Sequence, residues 1–183
     1  CPALPDGDLH IPPRLMMEAR LFRGLGLSKI LISKMLAHAG QHGTTLEAEL
    51  LASGAVSEAI YYEALAEILH LPFLPLLDPD QVEDLPGADS QLIDPTVVRL
   101  RHPARAPITV IVPSAEKLDS LIERLDSSPP LRAMMAATTP SALRAALWQA
   151  GRSRRLRETV DQLFGDTPEA SAPTATGQSA VPA

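Results

Sequence analysis

Cysteine is almost missing from this chain. Cys1 is the only one in 183 residues, so no internal disulfide can staple the fold, and nothing in cysteine usage argues for an oxidising compartment. Aromatic residues make up only 3 %, which leaves Leu, Ala, Ile, Val and Met to build a core. No apolar run reaches the ~18 residues that a membrane-crossing helix needs. Positive charge is in deficit: 16 Lys and Arg stand against 22 Asp and Glu, a net charge of −6. That balance excludes the basic footprint of a general nucleic-acid binder, although a few arginines can still hold a small phosphorylated ligand. The phosphate-cradling pattern Gly-x-x-x-x-Gly-Lys-Ser/Thr is absent, so this chain alone is not expected to hydrolyse ATP by that route. A chain that begins with Cys1 in place of Met is expected to have been processed or cut. Truncation is preferred over a lipidated first residue.

What is present is helix-forming, with 45 % hydrophobic residues and 18 prolines set at segment edges and in the tails. Residues 1–12 are proline-rich and expected to be loose. Pro12 and Pro13 suit the first turn of a helix over about 13–23, ended by Gly24 and Gly26. Ser28 then caps a helix with Ile30, Leu31, Met35, Leu36 and Ala39 at helical spacing, closed by Gly40 and Gly43. Thr44 and Glu47 read as a Thr-x-x-Glu capping box, with Leu46, Leu50 and Leu51 as the apolar stripe and Gly54 just past the helix end. Ser57 caps a helix that buries Ile60, Tyr61, Ala64, Leu65, Ile68 and Leu69, and Pro72 stops it. Of the two tyrosines, one ring is expected in the core and the other at its edge. A weak repeat is visible: an aliphatic residue followed by serine precedes two of these helices, at Leu27-Ser28 and Val56-Ser57.

Residues 78–106 read as an irregular connector with one short helix at about 95–100. The period then changes. Ile108–Val112 is β-branched and bounded by Pro107 and Pro113, which predicts a strand. Ser114 is expected to cap a helix bearing Leu118, Leu121, Ile122 and Leu125, and Pro129-Pro130 to break the chain. Residues 131–137 suit a second buried strand, and Thr139-Pro140 starts a helix through Leu143, Ala146, Leu147 and Ala150. A last amphipathic helix is expected over 153–164. Residues 165–183 have the Ala, Ser, Thr, Pro and Gly composition of a disordered linker, which implies that something once followed it. The predicted fold class is α+β: a helical subdomain at 13–77, the connector, a small strand–helix–strand–helix subdomain at 107–164, and a disordered tail.

Chemical motifs are few, and each has a plainer explanation. Asp6-Gly-Asp8 and Asp78-Pro-Asp80 match the Asp-x-Asp pattern with which sugar transferases hold a metal-bound nucleotide sugar. Both lie beside prolines, where aspartate caps turns. Ser114-Ala-Glu-Lys117 matches Ser-x-x-Lys without its companion motifs, and reads better as a helix start. His38 and His42 have the spacing of zinc ligands on a helix. Gly40 lies between them and no base accompanies them, so they read as a surface pair. His10, His70 and His102 are isolated in sequence. Arg152, Arg154, Arg155 and Arg157 form the only basic cluster. It reads by default as a solvated face partly paired with Glu158 and Asp161, and alternatively as a contact for a membrane surface or an acidic partner. No catalytic residue and no metal ligand is assigned.

Leu50-Leu51-Ala52-Ser53-Gly54-Ala55-Val56-Ser57-Glu58, then Ala64-Leu65-Ala66, then Leu71-Pro72-Phe73-Leu74 carry a resemblance. Residues 44–77 resemble the N-terminal domain of type II secretion and type IV pilus assembly ATPases. The same module precedes certain bacterial family 2 glycosyltransferases that make exopolysaccharide. Tyr61-Tyr62-x-Ala64-Leu65-Ala66 is closer in wording to the glycosyltransferase branch, and residues 93–147 look like the family's second half. The likeness extends over about residues 20–150.

Some members of that family bind cyclic di-GMP through two tandem motifs: Arg-Leu-Gly, paired aliphatics, Gly, Leu and a closing Gln. The resemblance places the second copy on Leu46, Leu50, Leu51, Gly54, Val56 and Leu65. Thr45 stands at the Arg position, Glu47 at the first Gly and Ile68 at the closing Gln. The first copy keeps Leu21, Ile32 and Leu36, with its glycines displaced to Gly24 and Gly26. Losing the arginine removes the group that meets phosphate, and Glu47 brings a carboxylate toward a dianion, so cyclic di-GMP is expected to bind weakly or not at all.

The resemblance therefore implies a non-catalytic regulatory or docking domain with no cofactor of its own. Its parent would be a membrane-bound glycosyltransferase, which would place it in the cytoplasm at the inner face of a bacterial membrane. Its partner would be the downstream catalytic domain or another protein of the assembly, and not nucleic acid. The alternatives are the same domain ahead of a secretion or pilus ATPase, and a free-standing protein-binding adaptor.

Overall fold

The structure, a computed structural model, describes residues 21–85 and 87–165. The expected loose segment at 1–12, most of the helix at 13–23, Asp6, Asp8, His10 and the tail beyond 165 lie outside the described residues. The chain divides into two compact units, Cys1–Ala150 and Gly151–Ala183. The fold is mixed α+β, as expected, with a four-stranded sheet.

Three helices lead. Helix α1 (Lys29–His42) starts at Ser28, whose hydroxyl accepts from the Leu31 N–H at 3.2 Å, and it ends at the left-handed Gly43. Gly40 lies inside it. Its buried face is Ile32, Met35 and Ala39, whereas Ile30, expected on that face, is exposed. Helix α2 (Leu46–Ala52) is capped by Thr45 and not by Thr44. The expected capping box does not form: Thr44 donates to Glu49, and Glu47 accepts from the Tyr62 hydroxyl. Past Ser53, Gly54 adopts φ +70° and donates to the Leu51 carbonyl, as its position after the helix predicts.

Helix α3 (Glu58–Ile68) is capped by Ser57. His70 takes the left-handed conformation after it, and Leu71 N–H closes back onto the Ala66 carbonyl at 2.9 Å. Both tyrosines are buried, a correction to the expected edge position for one. Tyr61 stacks on Phe22 and meets Tyr62 edge-on, and Tyr62 reaches a polar partner through its hydroxyl. Ile60 faces outward.

Strand β1 (Phe73–Leu74) leaves the helices and joins a sheet of order β1-β4-β3-β2. The connector is more regular than expected. It holds a 3-10 turn at Pro79–Gln81, a short helix α4 (Ser90–Ile93) and strand β2 (Val97–His102). Strand β2 replaces the predicted helix at 95–100. Val98 and Leu100 alternate inward and pair with Val110 and Ile108 of β3 (Arg105–Ile111). β3 runs through Pro107 because β4 pairs with it only at 109–111, so no ladder partner is lost there.

A 3-10 turn at Ala115–Lys117 leads into α5 (Leu118–Ser127), and Ser114 makes no side-chain cap hydrogen bond. Pro129 and Pro130 open a short helix α6 (Pro129–Ala133) instead of breaking the chain. The second buried strand is therefore shorter than expected, β4 (Met135–Thr138). Thr139 caps α7 (Pro140–Ala150), its hydroxyl accepting from Ala142 N–H at 3.0 Å. Helix α8 (Arg152–Gly165) belongs to the second unit and runs through Gly165, one residue past its expected end.

Two apolar clusters fill the first unit. One joins the helices to one face of the sheet, through Leu50, Tyr61, Leu65, Leu118, Leu125, Met135 and Ala137. The other lies under Val98, Leu100, Val110 and Ala136 and is closed by Leu143 and Leu147 of α7. Ala136 and Ala137 point to opposite faces because side chains alternate along a strand.

Candidate functional site

The residues that the tandem-motif resemblance singles out lie in α2, in α3 and in the turn between them. Leu46, Leu50 and Leu65 are buried in the helical core, and Leu51 packs against it, so their side chains are committed to packing. Gly54 is exposed, and a Cβ there would meet nothing within 4 Å, so what it supplies is its left-handed backbone. Val56 is buried.

The polar groups above this core form short networks. Thr44 donates to Glu49 at 2.6 Å, and His42 Nδ1 lies 3.3 Å from the same carboxylate oxygen. The Thr44 hydroxyl, and after it His42, hold the Glu49 carboxyl below its ordinary value. Tyr62 donates to Glu47 at 2.7 Å. Burial, and then the Glu47 charge, push the Tyr62 phenol up. Glu58 accepts from Ser141 N–H at the start of α7, at 3.2 Å. The position where the motif has arginine is Thr45, whose hydroxyl is used as a helix cap. Glu47 and Glu49 lie about 200° apart around α2, and each carboxylate is already engaged, Glu47 by Tyr62 and Glu49 by Thr44.

A second candidate was not foreseen. A cleft of about 360 Å³ opens at the outer edge of β2, within the size range of ligand sites. Glu83, Leu85, Gln91, Val97, Arg99 and Leu147 are among its lining residues. The backbone beside it is tied to β2 at two points. Glu83 N–H donates to the Arg99 carbonyl, and Gln91 Oε1 accepts from Thr96 N–H, Thr96 Oγ1 and Val97 N–H. Leu85 and Val97 are partly exposed. The Glu83 carboxylate, which is largely shielded, faces Arg101 at 3.4 Å and Arg99 at 3.8 Å. Chemically, the cleft can seat an apolar group that carries one charged end. Its hydroxyls, Ser90 and Thr109, have no histidine beside them among the lining residues. The alternation Val98-Arg99-Leu100-Arg101 was the available sequence signal for the strand, while Gln91 as its edge cap had none.

Asp78 is used as a turn cap, accepting from Asp80 N–H at 3.0 Å and from Gln81. His38 and His42 stack edge-on, and among the described residues no three His, Cys, Asp or Glu side chains gather as a metal site would require. Arg152, Arg154, Arg155 and Arg157 all lie on α8, where Arg154 pairs with Glu158 at 3.2 Å. No helix of the described residues is long and apolar enough to cross a membrane. Compared with known families and with curated proteins, the chain matches no family model and no curated sequence.

Proposed function

We propose that this chain is a non-catalytic regulatory or docking domain, of the kind found at the N-terminus of membrane-bound bacterial family 2 glycosyltransferases that make exopolysaccharide. The observation that carries the reading is the join between its two halves. Leu71-Pro72-Phe73-Leu74, the exit from the helices, enters the sheet as β1. Phe73 pairs with Ala137, and Ala137 N–H donates to the Pro72 carbonyl at 2.9 Å. Thr138 adds a side-chain bond to the Leu74 carbonyl at 2.6 Å. A partner or ligand that shifts α3 must therefore shift the central strand β4, which suits a module that passes a state onward. Cyclic di-GMP is not the ligand in this reading, because Thr45 stands where the motif has the arginine that meets phosphate and Glu47 stands at its first glycine.

The test is to sequence the locus on both sides of this chain. Membrane helices with Asp-x-Asp and Gln-x-x-Arg-Trp downstream support the reading. Gly-x-x-x-x-Gly-Lys-Ser/Thr downstream moves the domain to a secretion or pilus ATPase, and an immediate stop leaves a free-standing adaptor. Calorimetry with cyclic di-GMP gives a separate check: a dissociation constant in the micromolar range or tighter contradicts the ligand assignment.

A further inference from the structure

Strand β2 is an outer strand of the sheet, and its free edge is only partly filled. The Thr96 carbonyl accepts from Val112 N–H on the β3 side, so alternation turns the N–H and C=O groups of Val97 and Arg99 outward. Two of these four groups are taken. Val97 N–H donates to Gln91 Oε1 at 3.0 Å, and the Arg99 carbonyl accepts from Glu83 N–H at 2.9 Å. The Val97 carbonyl and the Arg99 N–H have no hydrogen-bond partner among the described residues. They stand between the two ties, on the cleft of about 360 Å³ that Val97, Val98 and Arg99 help to line.

An acceptor and a donor on either side of Val98 are what one residue of a parallel strand satisfies. Its N–H donates to the Val97 carbonyl and its own carbonyl accepts from Arg99 N–H. Its side chain then lies on the same face as that of Val98. The cleft is apolar there: Val98 and Leu147 belong to the cluster closed by α7, and Ala88 packs against it. The next ladder position is already filled by main chain, because Glu83 N–H holds the Arg99 carbonyl. The slot is therefore one residue long, which suits a chain end, whose acceptor is a carboxylate. Positive charge is at hand. The Arg99 side chain is half exposed, with Nε 3.8 Å from Glu83, and Glu83 has a nearer partner in Arg101 at 3.4 Å.

We propose that this cleft binds the C-terminal residue of a peptide, apolar and with a free carboxylate, as a one-residue addition parallel to β2. The peptide N–H goes to the Val97 carbonyl, the carboxylate to Arg99 N–H and its guanidinium, and the side chain against Val98 and Leu147. Main-chain bonds to a sheet edge supply the affinity, and the pocket and the charge select the residue. The assignment uses the edge of β2 alone and does not depend on the parentage of the domain.

The test is a nuclear magnetic resonance titration of the isotope-labelled full chain with the peptide acetyl-Ala-Ala-Leu, as the free acid and as the C-terminal amide. The free acid is expected to give a saturable shift of the Arg99 amide resonance, with Gly87 and Ala88 following. Amidation is expected to weaken binding about tenfold, the loss of one charge-assisted hydrogen bond. Arg99→Gln should weaken the acid and leave the amide unchanged. Arg99→Pro removes the donor at a position where an edge strand tolerates proline, and should abolish binding of both. Near-ultraviolet tyrosine circular dichroism verifies that each variant keeps its fold. If the proline variant fails that check, the Arg99 resonance and the effect of amidation decide. No shift at the Arg99 amide overturns the proposal, as does equal affinity for acid and amide. Acetate giving the same shifts at the same concentration identifies an anion site that reads no peptide, and also overturns it.

Discussion

The helices of residues 29–70 and the sheet region of residues 97–150 are held together by different means. In the first, Ser28, Thr45 and Ser57 each accept a backbone N–H three residues on, so every helix carries its own start signal. In the second, α5 and α6 begin without a side-chain cap hydrogen bond, and only Thr139 caps. Order there comes from the ladder, through Val98 with Val110, Val110 with Ala136 and Phe73 with Ala137. One region is specified locally and the other by pairings distant in sequence. The strand β1 belongs to both.

The largest effect should come from the core that the helices share with the sheet. Leu50 is fully buried and packs in the cluster that includes Tyr61, Leu65 and Ala137. Leu50→Ala is expected to cost about 2–5 kcal/mol, measured by urea unfolding. A cost below about 1 kcal/mol would mean that the site collapses and that the two regions share little packing. Next is Gly54→Val. Gly54 sits at φ +70°, and a side chain there would find open space within 4 Å of its Cβ, so the cost is backbone strain and not a clash. That strain amounts to about 1–2 kcal/mol. An unchanged melting temperature would remove its role as the residue that ends α2.

The sharpest contrast between the regions is a pair of serines. Ser57→Ala removes a cap and should cost about 1 kcal/mol, whereas Ser114→Ala should fall within about 0.5 kcal/mol of zero. Equal costs would erase the difference between local and distant specification.

Legibility followed the same division. Ser28, Ser57, Gly54 and Thr139-Pro140 could be placed from sequence because capping is decided within four residues. The error at Thr44 was one of register: two adjacent threonines offered a hydroxyl, and Thr45 won because Thr44 is taken by Glu49. Strand β2 was read as a helix because five residues after Asp94-Pro95 carry no decisive period. Its identity comes from the hairpin with β3, closed at His102 and Arg105, and from the Val82 bridge to Leu100, and neither pairing shows in the five residues themselves. The cleft at its edge was illegible for the same reason. Glu83, Gln91 and Arg99 are neighbours only once the strand exists.

The smallest expected effect is a pH dependence in the helical region. The Glu49 carboxyl is held below its ordinary value, first by the Thr44 hydroxyl and then by His42. A carboxylate depressed on folding contributes stability above its unfolded pKa and loses it as pH falls through the folded value. Glu49→Gln should therefore lower the melting temperature slightly at neutral pH, with the difference from wild type closing as the medium becomes acid. A difference that is constant with pH would mean that the ionised carboxylate contributes nothing.

Strand β1 binds the helices and the sheet into one cooperative body, and on this the rest depends. Both tyrosines lie in the helical core, and the single tryptophan, Trp148, lies exposed on α7, next in sequence to Leu147 of the other cluster. Thermal unfolding followed separately by tyrosine near-ultraviolet circular dichroism and by Trp148 fluorescence reads the two regions independently. Coincident midpoints are expected in the wild type, with an equal downward shift of both in Leu50→Ala. A Trp148 transition that stays in place while the tyrosine signal moves would contradict a single cooperative body.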